Sequence, residues 1–151
     1  MDERERYRRG LSVRRQVLGR PHVDQAARDL SGFNRDFQDL ITGYAWGEVW
    51  SRPGLPRSTR SLLTLAMMVA LNRPDELRLH LRAAFNTGLT RDQIGEALLQ
   101  SAIYCGVPAA NAAFHAAAEV FAEMDTRQPG RPRPARPSKE SGPNPSRRKR
   151  R

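Results

Sequence analysis

Ser58-Thr-Arg60-Ser-Leu-Leu-Thr-Leu-Ala-Met-Met-Val-Ala-Leu71 is apolar on nearly every side of a helix once its first turn is passed. Such a helix is buried all round, inside a domain or against another subunit. Pro53-Gly-Leu-Pro56 breaks the chain just ahead of it. Downstream, the spacing predicts a helix from about Pro74 to Asn86, with proline in its first turn and Gly88 just past its end. Thr90-Arg-Asp-Gln93 then opens another with a capping-box pattern, reaching Tyr104 before Gly106. From about Pro108 to Met124 an alanine-rich helix offers a surface for close approach. Upstream, residues 2–18 form a charged helix with Tyr7, Leu11 and Leu18 on one side, stopped by Gly19 and Pro21. A short segment near 24–30 leads to an amphipathic helix from Asn34 to Trp50, whose apolar positions Phe37, Leu40, Ile41, Tyr44 and Ala45 follow the 3.6-residue repeat. No stretch alternates as a strand would. The fold is therefore all-α, a compact bundle of about six helices with short loops and mostly antiparallel neighbours.

Charge divides the chain. Of 26 Lys and Arg and 16 Asp and Glu in 151 residues, ten bases and one acid fall in 127–151, so residues 1–126 are nearly neutral. Residues 127–151 also hold six of the eleven prolines and no large apolar side chain. Such a segment buries too little to offset its ordering entropy, and it reads as a disordered Arg/Pro-rich tail on one helical domain, 1–126. Its basic run carries no interleaved aromatics on which bases would stack, so nucleic acid is not expected as a partner. Cys105 stands alone, which excludes an intrachain disulfide and a cysteine zinc cluster. The charged start lacks the apolar core of a secretory signal, and the longest apolar run, Leu62 to Leu71 with one Thr, is too short to span a bilayer. A cytoplasmic protein with no membrane partner is the expectation.

Three groups could carry chemistry. His80 falls in the stripe Leu77, Leu81, Ala84, where an imidazole needs a hydrogen-bond partner and titrates near neutrality; it reads either as a proton carrier or as a core histidine tied to a carbonyl. Glu48 lies between Trp46 and Trp50, and a carboxylate among indoles is partly desolvated, which suits proton transfer; the alternative is a solvent-facing glutamate. Arg57 and Arg60 open the apolar helix, where free N–H groups and guanidinium forks suit a carboxylate, or they are ordinary surface arginines. Three histidines, one of them His115 on the alanine-rich helix, do not make a three-histidine metal site.

The runs Glu5-Arg-Tyr7, Val13-Arg-Arg15, Tyr44-Ala-Trp-Gly-Glu48-Val-Trp50, Arg52-Pro-Gly-Leu-Pro56, Ala66-Met-Met-Val-Ala-Leu-Asn72, Glu76-Leu-Arg-Leu-His80-Leu-Arg-Ala-Ala84 and Tyr104-Cys-Gly-Val-Pro-Ala-Ala-Asn111 resemble, in order and spacing, the carboxymuconolactone decarboxylase family. The resemblance spans residues 1–125 and leaves out the tail. It implies an alkyl hydroperoxidase D-like helical fold. Relatives of that fold with peroxidase chemistry use two cysteines ahead of a helical histidine. If His80 is that histidine, Arg73 and Glu76 occupy the cysteine positions, so thiol chemistry is not implied. What is implied is conversion of 4-carboxymuconolactone to 3-oxoadipate enol-lactone in protocatechuate catabolism, with no cofactor or metal, in a homo-oligomer, often a hexamer. His80 would donate the proton or polarise the lactone carbonyl. Glu48 would orient His80 or exchange protons with it. Arg57 or Arg60 would hold the side-chain carboxylate, and Trp46 or Trp50 would line the less polar pocket. The competing reading is a non-catalytic helical module whose basic tail contacts nucleic acid or another polyanion.

Overall fold

Two helices meet backbone to backbone at the start of the chain. Helix α1, Glu3–Leu18, is capped by the Asp2 carboxylate, which accepts from the Arg4 N–H, and carries Glu3 and Glu5 in its positive first turn. Helix α3, Arg35–Leu40, passes directly into a π-helical stretch, Ile41–Val49, closed by the Trp50 N–H on the Ala45 carbonyl at 2.8 Å. A Cβ on Gly10 would collide with the Thr42 carbonyl and lie 2.8 Å from the Gly47 nitrogen, and one on Gly47 would collide with the Arg6 carbonyl. Only glycine permits this approach.

The computed structural model describes residues 2–127, so the tail expected at 127–151 lies outside the described residues except for Arg127, the last residue of a helix. Among the described residues the secondary structure is entirely helical. Helix α2, Arg20–Arg28, follows Gly19 immediately, because Pro21 falls in its first turn, where no N–H is needed. It therefore starts earlier than the segment near 24–30 read from the sequence. The bundle is completed by α4 (Arg57–Ala70), α5 (Pro74–Ala84, extended by a 3-10 turn Phe85–Thr87), α6 (Arg91–Cys105) and α7 (Val107–Arg127). Thr90 and Gln93 form the predicted reciprocal cap. Gly88 and Gly106 take the positive φ that ends their elements.

The larger core joins α4 to α7 through Leu65, Val69, Leu81, Ile94, Leu98 and Val120, with Ala113, Ala116 and Ala117 of α7 allowing close contact. The smaller core joins α1, the π segment and α5 through Val13, Val17, Trp46 and Ala83. Arg78–Glu119 and Arg82–Glu123 pair along α5 and α7, so these two helices run the same way.

Two expectations change. The stripe Phe37, Leu40 and Tyr44 is exposed, while Thr42, Gly43, Trp46 and Gly47 are buried. The glycine contact fixes which face meets α1, and the wider π turn carries the large apolar side chains away from it. Helix α4 buries only the stripe Ser61, Leu65, Val69 within the chain and leaves Leu63, Met67 and Leu71 exposed.

Gly47→Ala must push α1 off the π segment, a loss on the order of 1–3 kcal/mol by analogy with overpacked cores. Gly43→Ala, where a Cβ meets nothing within 4 Å, should hold or slightly raise stability. Urea midpoints of the two variants check this, and equal midpoints would refute the close approach.

Candidate active site

His80 projects from the flank of α5 between the two cores. Leu77, Leu81 and Ala84 belong to the larger core, while Ala83, one turn beyond His80, packs with Val13, Val17 and Trp46. His80 therefore looks toward α1 and α2 and is half-buried. Burial pushes its pKa below the usual 6.5; the nearby His22 pushes it further down, and Glu76, one turn before it, opposes. At neutral pH His80 is an uncharged imidazole.

His22, on α2, is lowered by burial and by the charge of Arg14. Arg14 is only 7% exposed and donates through Nη1 to Gln38 Oε1 at 3.0 Å and Thr42 Oγ1 at 3.1 Å. Burial lowers its pKa as well, with Tyr7 opposing. His22 thus stands in electrostatic reach of His80 on one side and of Arg14 on the other. His22 and Arg14 are absent from the sequence-derived site. The signal for Arg14 was present: position 14 continues the series 7, 11, 18 along α1, and its neighbours Gly10, Val13 and Val17 are buried. His22, placed by the Gly19–Pro21 turn, carried no periodic signal.

Glu48 is held elsewhere. Its carboxylate faces Arg6 Nε at 3.7 Å and Arg9 Nη2 at 3.9 Å on α1. Arg9 also donates two hydrogen bonds, at 3.0 and 2.6 Å, to the Gly47 carbonyl, which accepts from Ser51 Oγ too. Among the described residues nothing joins Glu48 to His80, so the orienting contact expected from the sequence is not formed there. The reason is the register of the π segment, which turns position 48 toward α1.

Trp46 and Trp50 stack, with centroids 4.9 Å apart and planes 27° from parallel. Trp46 is buried as a wedge of the smaller core, whereas Trp50 is half-buried at its edge. Arg57 donates to Gln16 of α1, and Arg60 donates to the Arg52 carbonyl at 3.3 Å while its buried Nε lacks a partner. Both stand at the start of α4, where Pro56 supplies no side-chain cap. Ser61 and Thr87 hydroxyls, 2.9 Å apart, tie that turn to the end of α5. Arg57 and Arg60 thus lie near the carboxyl end of His80's helix, on a different flank of α1 from Glu48.

Clefts open on the surface around α1. One of about 1000 Å³ separates the start of α1 from α3, bordered by Arg6, Tyr7, Asp39 and Tyr44, among others. A groove of about 290 Å³ runs along α1 past Arg8, Ser12, Arg15 and Arg20. Neither is lined by His80.

The carboxymuconolactone decarboxylase family model matches residues 35–119. A protein of Acinetobacter baylyi named 4-carboxymuconolactone decarboxylase is 55% identical over 124 residues, covering 82% of this chain and 92% of its own length. The nitrosuccinic acid decarboxylase of Metarhizium robertsii is 50% identical over 99 residues, 66% of this chain and 69% of that one. A Pseudomonas putida sequence, also named 4-carboxymuconolactone decarboxylase, is 50% identical over 48 residues, all of its length and 32% of this chain. With the family match spanning the helices that carry His80 and Glu48, and the Acinetobacter relative aligned over nearly its whole length, the chain belongs to the carboxymuconolactone decarboxylase family.

Proposed function

We propose that this protein removes carbon dioxide from 4-carboxymuconolactone to give 3-oxoadipate enol-lactone, in the catabolism of protocatechuate. The observation that carries this reading is the identity to the Acinetobacter enzyme across nearly its full length. The chemistry needs no external electron sink. The carboxylate lost sits beside the lactone's conjugated double bond. Its bonding pair flows through that bond onto the lactone carbonyl, giving a dienolate that then takes a proton on carbon.

In this reading the dienolate carbon takes its proton from water, and His80, as a neutral imidazole, donates a hydrogen bond to the lactone carbonyl oxygen where negative charge develops. Its lowered pKa supports the neutral form. Arg57 or Arg60 holds the side-chain carboxylate, and Trp50, backed by Trp46, supplies the apolar flank that favours departure of uncharged carbon dioxide. Glu48, paired with Arg6 and Arg9, acts as a positioning residue that fixes the tryptophan-bearing segment on α1. A nitro-substituted dicarboxylic acid is the second reading. The Metarhizium relative favours it, and a nitro group is an alternative electron sink on a substrate of similar size and charge.

The protein works as a homo-oligomer, hexameric by the family resemblance. Supporting this, Leu63 and Met67 of α4 and Leu99, Ile103 and Tyr104 of α6 are exposed on two helices that pack side by side. Scattered exposed apolar residues are ordinary, but clustered ones mark contact surfaces. Among the described residues no helix is long and apolar enough to cross a membrane.

Ultraviolet assay of both acids with wild type and His80→Ala tests the function. The expected result is turnover of the lactone by wild type and a loss in kcat of at least about 100-fold in the variant. Turnover of nitrosuccinate alone would select the second reading, and equal rates in the two proteins would remove His80 from the chemistry. Since the neutral imidazole is the working form, kcat/KM of wild type should rise with pH through a midpoint below 6.5 and then level. A midpoint above that value contradicts the assignment. Met67→Glu combined with Ile103→Glu should sediment as a smaller species with unchanged helicity, and an unaltered sedimentation coefficient would clear this face of any role in assembly.

A further inference from the structure

Val13-Arg-Arg15 sets two arginines side by side with opposite fates. Arg15 uses the side-on edge of its guanidinium, Nε and Nη2, to grip the Asp24 carboxylate at 3.0 and 2.8 Å. Arg9 uses the same edge on the Gly47 carbonyl. Arg14 spends only Nη1, on Gln38 and Thr42. Its Nε is buried with no acceptor, its Nη2 makes no hydrogen bond, and no carboxylate of the described residues lies within ion-pair distance of it. Yet this residue is 7% exposed. A buried cation with an empty bidentate edge is costly unless an anion completes it. The two acceptors on Nη1 fix the plane of the fork, so the free edge is already oriented. The fork stands against α3 and the π segment, where Gln38 and Thr42 hold it, and His22 of α2 feels its charge.

We propose that Arg14 is an anion anchor that binds one carboxylate of the substrate through its Nε and Nη2 edge, where α1 meets the π segment. The assignment rests on the decarboxylase reading for the identity of the substrate. It does not rest on it for the anion. A substrate with two carboxylates then has two kinds of cationic contact, Arg14 on α1 and the Arg57/Arg60 pair at the start of α4. His22, within reach of both Arg14 and His80, feels the same anion.

Arg14→Lys keeps a buried positive charge but loses the fork, and Arg14→Gln loses both. Each full-length variant is compared with wild type in three measurements: steady-state kinetics on 4-carboxymuconolactone, calorimetric binding of adipate as an unreactive dicarboxylate, and sedimentation with circular dichroism. The expected result is that Arg14→Lys, folded and assembled as wild type, raises KM and the adipate Kd at least tenfold while kcat falls less than threefold. Should wild type bind adipate, and Arg14→Lys not, without turnover of the lactone by either, the anchor stands and the decarboxylase reading falls. Turnover by wild type with KM and adipate Kd within twofold in Arg14→Lys overturns the anchor alone. Loss of assembly with unchanged adipate affinity in the lysine variant also overturns it, assigning Arg14 to a subunit contact. Failure of wild type to bind adipate overturns it whatever the activity.

Discussion

The contact between Gly10 and Gly47 governs the amino-terminal half of this protein. Because no side chain separates α1 from the π segment there, the two backbones approach closely enough for the rest to follow. Trp46 is driven into the smaller core between α1 and α5. Thr42 comes within reach of Arg14, and the Gly47 carbonyl is left for Arg9 and Ser51. Glu48 is turned back onto Arg6 and Arg9. A single steric condition thus decides which side chains become structure and which remain available for chemistry.

Helix α5 is shared by both cores, and His80 lies on the flank between them. Its neighbours Leu77, Leu81 and Ala84 bind it to the larger core, and Ala83 to the smaller. An imidazole so placed is desolvated without being sealed off. Burial is accordingly the first cause of its lowered pKa, with His22 second. Protonating it or His22 therefore opposes the fold: relative to an unfolded chain titrating near 6.5, both take up protons less readily when folded. Their contribution to stability is intact above that pH and is lost as pH falls below it.

Much of this was legible in the sequence, for identifiable reasons. Helices α5 and α6 and their ends were marked by Pro74, Gly88, Thr90, Gln93 and Gly106, whose backbone or capping chemistry is local. The all-α class followed from periodicity alone. The inward face of Asn34–Trp50 was misread because a 3.6-residue period was applied where the turns are wider, and because glycines carry no weight in a hydrophobic stripe although here they mark the closest contact. Arg57 and Arg60 lie in the first turn of α4 and His80 on α5, the helices in which the sequence set them. The link from Glu48 to His80 was not readable, since it depends on which flank of α1 each meets. Arg14 continues the stripe of positions 7, 11 and 18, but an arginine in an arginine-rich helix reads as surface until its neighbours are known.

The electrostatics around His80 bear directly on how a metal-free decarboxylation of this kind would run. After burial, the charge of Arg14 lowers the proton affinity of His22, and His22 lowers that of His80. A carboxylate bound near Arg14 and His22 compensates that repulsion. Loss of carbon dioxide then carries away no charge, and the negative charge moves from the departing carboxylate into the dienolate. A neutral His80 meets that charge with a hydrogen bond to the lactone oxygen, and in the empty protein it adds no positive charge to the repulsion around His22 and Arg14.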